Sequence, residues 1–189
     1  MLKNLFYSVV LIVFVSCVSS YHYSYDYPLS SEYVTAKDGT LSAFIPQGWF
    51  VPNDNAQSPN YLFWLLKEDY TSAIVLEEIF LDNTTVKRIE NEGLYLIANI
   101  SLTFKANTSQ DFKLSRKPEI FKMGNKDYCA YEYFADWTSK KVRVILFELN
   151  GRYYECSAIP LSGVWFEKNL KELYSAAQTF VFSISKFSL

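Results

Sequence analysis

The side chains able to do chemistry in this sequence are one histidine, three cysteines and a scatter of carboxylates. His22 is the sole histidine and sits in "YHYSYDY" (residues 21–27), ahead of the first well-marked structural element. A Ser-His-Asp or Cys-His hydrolase would have to recruit it from outside the folded part. No CxxC or HExxH spacing occurs, so neither zinc nor a histidine-built metal site has a ligand set. Glu77 and Glu78 are neighbours in a predicted strand and so point to opposite faces, which rules them out as an acid-base pair. Glu132, Asp136, Glu148 and Glu155 fall in strand candidates that could share a sheet surface, and glycosidases do use two carboxylates. Solvated strand ends and rims account for them more simply. The expectation is no catalytic residue, no metal and no cofactor.

Cys17 stands at the foot of an apolar run. "MLKNLFYSVVLIVFVSC" carries one cation, Lys3, followed by an uncharged stretch from Leu5 to Val15, which is the plan of an export signal. A bilayer-spanning helix needs about 20 apolar residues, and here Ser19, Ser20, His22 and Asp26 follow too soon. The expected division is a signal peptide at 1–16, a lipidated cysteine and tether at 17–32, and one globular domain at 33–189. An ordinary signal peptide cut near Ser19 or Ser20, with Cys17 discarded, is the competing reading. Cys129 and Cys156 remain for a disulfide, but in a three-strand meander they fall on the outer strands, about 9 to 10 Å apart. A disulfide tolerates a Cα separation of only about 7 Å. Two buried thiols are the favoured reading, and a different strand order would reverse it.

Lys and Arg number 18 against 20 acidic residues, which gives no electrostatic footprint for nucleic acid. Half the chain is hydrophobic and 18% aromatic, enough to build a sizeable core. Trp49, Trp137 and Trp165 lie at predicted element ends, where exposure would make them a binding edge. Most other aromatics read as core.

The elements that must position these residues follow from periodicity. "DGTLSAFIPQGW" (38–49) gives a turn at Asp38-Gly39 and a strand through Ala43, Phe44 and Ile45, stopped by Pro46 and Gly48. "NYLFWLLKED" and "SAIVLEEIFL" are further strands. Over 84–104, Val86, Ile89, Gly93, Leu94, Ile97, Ile100 and Phe104 recur at spacings of three and four, predicting one amphipathic helix capped by Asn83 or Thr84. "FKLSRKPEIFKMG" reads as short strands or irregular structure around Pro118. "KDYCAYEYFAD", "KKVRVILFELN" and "GRYYECSAI" are three consecutive strands, the last two joined by the Asn150-Gly151 hairpin signal. "VRVILFEL" is apolar on both faces, so its sheet is expected to be covered on both sides. A closing helix over 162–182 starts at Ser162 and gives way to a short extended tail.

Two resemblances add to this. "FVSC" (14–17) resembles the lipobox of bacterial lipoproteins, with Phe14 where an aliphatic is usual; it implies a diacylated or triacylated Cys17. Val18 is not the Asp associated with inner-membrane retention, which slightly favours the outer membrane. The order "DGTLSAFIPQGW", paired strands, long helix, "KMGNKDYCAYEYF", "VRVILFELNGRYYECSA" and a helix ending "QTFVFS" resembles the PsbP-like superfamily, including envelope lipoproteins of the DcrB type. The likeness spans about residues 33–185. It implies an α+β fold, an antiparallel sheet between helices, with binding and assembly roles and no catalytic residue to carry over. The expected function is a lipid-anchored, non-catalytic accessory of a bacterial envelope, touching the membrane through Cys17 and an unidentified protein partner through Trp49, Trp137 and Trp165. A carrier with an aromatic pocket for a small molecule or glycan, and a carboxylate hydrolase, are the alternatives.

Overall fold

The computed structural model describes residues 23–36, 38–52, 61–109, 111–135, 140–161 and 167–187. A hairpin of β1 (Leu29–Thr35) and β2 (Ser42–Pro46) leads into β3 (Trp49–Phe50), β4 (Phe63–Lys67) and β5 (Ser72–Ile79). Helices α1 (Asn83–Glu92) and α2 (Leu94–Thr108) follow, then β6 (Lys113–Met123), β7 (Lys126–Phe134), β8 (Lys141–Leu149), β9 (Arg152–Pro160) and α3 (Glu167–Phe187). β3 to β9 form one seven-stranded sheet in the order β3-β4-β5-β9-β8-β7-β6, antiparallel at every pairing. α3 packs on β2, β8 and β9, while α2 packs on β6, β7 and β8. The chain is therefore an α+β fold with an antiparallel sheet between helices.

The apolar reading of "VRVILFEL" explains the layering. Ile145 and Phe147 enter the core under α3, and Val142, Val144 and Leu146 enter the core under α1 and α2. Both faces are covered, as continuous apolar strands require. Asn150 (φ 55°) and Gly151 (φ 76°) turn the β8–β9 hairpin, the pairing that two positive φ values demand. Along α3, Leu173, Ala176, Ala177, Phe180, Val181 and Ile184 face the sheet. The helix continues to Phe187, where an extended tail was expected.

Further expectations are corrected. The helix over 84–104 is two helices, because Gly93 takes φ 69° and ψ −169°, a conformation that only glycine adopts easily. Asp82, not Asn83 or Thr84, caps α1, accepting from the Thr84 and Thr85 N–H groups at 2.8 and 2.9 Å. The break rotates the helical face, so Ile100 and Phe104, expected inside, are exposed while Ser101 is buried. β6 runs unbroken in direction through Pro118, with irregular register on either side of Arg116. It is an edge strand, where a residue without an N–H costs no ladder bond.

Candidate functional site

Polar side chains gather at two places, one on each face of the sheet. Under α3, Arg143 of β8 donates through Nε and Nη2 to Glu132 Oε1 on β7 at 3.1 and 2.5 Å, and through Nη1 to Gln178 Oε1 at 2.8 Å. Arg143 is 3% exposed. Lys141 Nζ lies 3.4 Å from Glu132 Oε2. Burial works to raise the Glu132 pKa, but the Arg143 charge and hydrogen bonds, helped by Lys141, hold it below the usual carboxylate value. Aromatic rings cover the guanidinium. Its Cζ is 4.0 Å from the centroid of Tyr174 and 5.4 Å from that of Tyr23.

That second ring belongs to the segment expected to be a spacer. From residue 23 onward it is docked: Tyr23 stacks on Phe121 at 3.9 Å and its hydroxyl donates to Glu119 at 3.1 Å. Gln178 Nε2 donates to the Ser24 carbonyl, and the Tyr27 N–H to Thr179 Oγ1. A cleft of ≈ 860 Å³, open to solvent, lies between residues 23–28 and the outer side of α3, lined by Tyr25, Asp26, Lys168, Lys171 and Ser175 among others. It is not a pocket between helix and sheet. The spaces there are filled by Phe63, Tyr128, Tyr131, Tyr154 and Phe180, each below 2% exposed.

On the other face, under α2, Ser101 donates to Glu155 Oε2 and bonds the Tyr131 hydroxyl at 2.7 Å. Lys105 Nζ sits 2.7 Å from Glu155 Oε1 and 3.7 Å from Glu77 Oε1. Glu77 and Glu155 are cross-strand partners of β5 and β9. Burial, and then the Glu155 charge, push the Glu77 pKa up; burial works to lower that of Lys105, but Glu155 outweighs it and raises it. The Glu155 oxygens are already engaged by Ser101, Lys105 and Ser157, so the cluster fastens α2 to the sheet. Sequence reasoning missed it because apolar periodicity places Ile100 and Phe104 inward. The one signal was Glu155 in the middle of an apolar strand.

Of the carboxylates read as solvated strand ends and rims, Glu132 and Glu155 are buried instead, and on opposite faces, so they form no acid-base pair. Glu132 faces α3, Glu155 faces α2, and Glu148 is exposed, accepting from the Gly151 N–H at 2.7 Å. Asp136 lies outside the described residues. Cys129 and Cys156 are unbridged and flank β8, paired with Leu146 and Ile145 and turned to opposite cores. Burial pushes the Cys129 thiol up to about 12, and raises Cys156 as well.

Of the expected binding edge, Trp137 and Trp165 lie outside the described residues, as do Cys17 and His22. Trp49 is 5% exposed and belongs to the core under α3, so it does not present its ring to a partner. Yet the strand ends beside all three coincide. Trp49 pairs with Lys67 at the end of β4, Ser72 with Pro160, and Phe134 with Lys141, all at one end of the sheet. That end displays Tyr70, 64% exposed, and Leu161, whose N–H donates to the Thr71 carbonyl. Tyr70 has φ 58° in the β4–β5 turn, edge-on to Phe50 at 5.7 Å.

Fold and site thus define an α+β domain with a sheet between helices and its polar groups mostly spent on internal bonds. No family model matches the chain, and no curated protein does. Solved structures similar to it include the solution structure of cyanobacterial PsbP (CyanoP) from Synechocystis sp. PCC 6803. The likeness has a TM-score of 0.49 at 11% identity over 80% of this chain and 89% of that one. Another is the Saccharomyces cerevisiae Ran-binding protein Mog1p, TM-score 0.48, 11% identity, 84% and 94%. A third, from Bacteroides thetaiotaomicron VPI-5482, has a TM-score of 0.33 at 12% identity over 76% and 46%.

Proposed function

We propose that this protein is a lipoprotein of a bacterial envelope, anchored through acylated Cys17, with the outer membrane slightly favoured, and that it acts as a non-catalytic binding or assembly accessory. The partner is an envelope protein met at the sheet end around Tyr70, the end where β7 stops before Trp137 in sequence and β9 before Trp165. The observation that carries the reading is Tyr70 itself. A turn position with positive φ is filled most cheaply by glycine or asparagine. Keeping tyrosine there costs about 1–2 kcal/mol of backbone strain and leaves a large ring in water. A residue kept mostly exposed at that cost, with its ring edge-on to Phe50, is suited to recognition, where exposed tyrosines supply much of the binding energy.

Two measurements test the two halves. The intact mass of protein from the membrane fraction should show an N-terminus at Cys17 carrying two or three acyl chains, lost in Cys17→Ala together with membrane association. An unacylated chain cut after Cys17 sinks the anchor. A photo-crosslinking residue at position 70 should yield one discrete adduct in cells, absent when the same residue replaces Tyr95 on α2. Equal labelling from both positions removes the assigned surface.

A further inference from the structure

The β6 edge of the sheet carries charge out of proportion to the rest of the chain. Residues 113–127 hold five cations (Lys113, Arg116, Lys117, Lys122, Lys126) against Glu119 and Asp127, in a chain whose formal net charge is −2. Lys113, Lys117, Lys122 and Lys126 are exposed. Among them stands Ile120, 47% exposed, directed to the same face as Cys129. Charged side chains, lysine above all, guard an open strand edge against pairing, and β6 carries three lysines and Arg116 along its length, with Lys126 opening β7 beside it.

The same strand receives the N-terminal segment. Tyr23 stacks on Phe121 and bonds Glu119, both in β6, with the Arg116 guanidinium 5.5 Å from its ring centroid. Six peptide steps separate Cys17 from Tyr23, a reach of at most about 20 Å. A domain of this size is about 40 Å across. A lipid on Cys17 therefore holds the bilayer near β6 and cannot bring it to the far edge of the sheet.

We propose that the β6 edge is a docking surface for the anionic headgroups of the membrane, with Lys113, Lys117, Lys122 and Lys126 facing phosphate and Ile120 entering the interface. Its orientation rests on the anchored reading above; its chemistry does not. Exposed lysines are drawn to an anionic bilayer within a Debye length, and the flanking apolar side chain adds burial.

The test uses the mature chain beginning at residue 17 and carrying Cys17→Ser, which cannot be acylated. It is co-sedimented with phosphatidylcholine vesicles with and without phosphatidylglycerol. Binding to the anionic vesicles should exceed binding to neutral ones at least tenfold and fall with added salt. Replacing Lys113, Lys117, Lys122 and Lys126 by Gln should remove most of that excess, while Lys87→Gln with Arg88→Gln on α1 should leave it. A thiol label at Ile120→Cys should be quenched by nitroxide lipids more than one at Lys87→Cys. Equal binding to both vesicles, or an unchanged β6 variant, overturns the proposal. So does a dimer in vesicle-free solution that the β6 substitutions abolish, since the edge would then serve a second copy. Because this chain lacks the lipid, a failed acylation assay and a failed vesicle assay are separate results.

Discussion

Removing Arg143 should produce a defect whose size depends on pH in a way that a packing defect would not. In Arg143→Met, the ion pair left to Glu132 among the described residues is that with Lys141, 3.4 Å from Oε2, and the Glu132 side chain is 7% exposed. Removing one partner of a buried ion pair costs about 3–5 kcal/mol. The orphaned carboxyl also has an escape, which is to take a proton. Protonating a group of intrinsic pKa near 4.3 at pH 7 costs about 1.4 kcal/mol per unit, so that part of the penalty is capped near about 4 kcal/mol. The gap between wild type and variant should therefore shrink by up to about 1.4 kcal/mol per unit as pH falls from 7 toward 5. The wild-type pair behaves oppositely. Its depressed Glu132 pKa contributes stability above the unfolded-state pKa, lost only as pH drops through the lower folded value. Urea unfolding of the unacylated domain at pH 7 and pH 5 measures both, with a melting-point loss of about 10 °C expected at pH 7. Adding Glu132→Gln to Arg143→Met should recover part of the loss. A single-variant penalty equal at both pH values, or a double variant at least as unstable as the single, would refute the reasoning.

Tyr70→Asn should keep or slightly raise the unfolding free energy, because asparagine tolerates positive φ, while abolishing the position-dependent partner contact; a destabilisation above about 1 kcal/mol would make Tyr70 structural. Glu77→Gln should stabilise the domain at pH 7. The raised Glu77 pKa means the folded state holds its proton to higher pH than the unfolded chain, so the penalty is absent below the unfolded-state pKa and complete above the folded one; chemical denaturation at pH 4 and pH 8 should show the variant's advantage only at the higher value. Tyr23→Ala should cost about 2 kcal/mol, from the ring stack on Phe121 and the bond to Glu119, and should open the 23–28 segment to protease. Cys129 and Cys156 should stay unreactive to a thiol reagent at pH 8 until the domain unfolds, because thiolate is suppressed by burial at both.

The sheet was legible from the sequence because its strands obey simple rules. "VRVILFEL" is apolar on both faces and is covered on both faces; Asn150-Gly151 is a two-residue turn and takes two positive φ values. The long helix was misread for a reason visible at Gly93. Periodicity assumes a continuous helix with apolar residues inward, and neither condition holds: glycine resets the phase, and Ser101 and Lys105 turn inward to meet Glu155. The ion pair of Glu132 and Arg143 could not be foreseen, since nothing local distinguishes a charge that will find a cross-strand partner from one that meets water. Tyr70 was passed over because a single aromatic in "KEDYT" reads as loop. Only its φ of 58° sets it apart from other exposed aromatics such as Phe80 and Tyr33. Trp49 was overvalued for the opposite reason: position at an element end does not decide exposure, and its strand closes over the core.

The two surfaces assigned to the molecule constrain each other through the order of the strands. β6 is one edge of the sheet, and the Tyr70 turn joins β4 to β5, four to five strands away. At about 4.8 Å per strand that is about 19 to 24 Å across the sheet. A domain docked by its β6 edge would stand with its strands near parallel to the bilayer and Tyr70 raised above the headgroups, clear of lipid. A tether from an acylated Cys17 would reach about 20 Å, no more than that height, so the proposed anchor and the docked orientation are compatible. Anchor and edge would in this way act together as an orienting device. A partner reached at a fixed height from the bilayer meets one pre-oriented surface, which lowers the rotational cost of association without any additional contact between the two proteins.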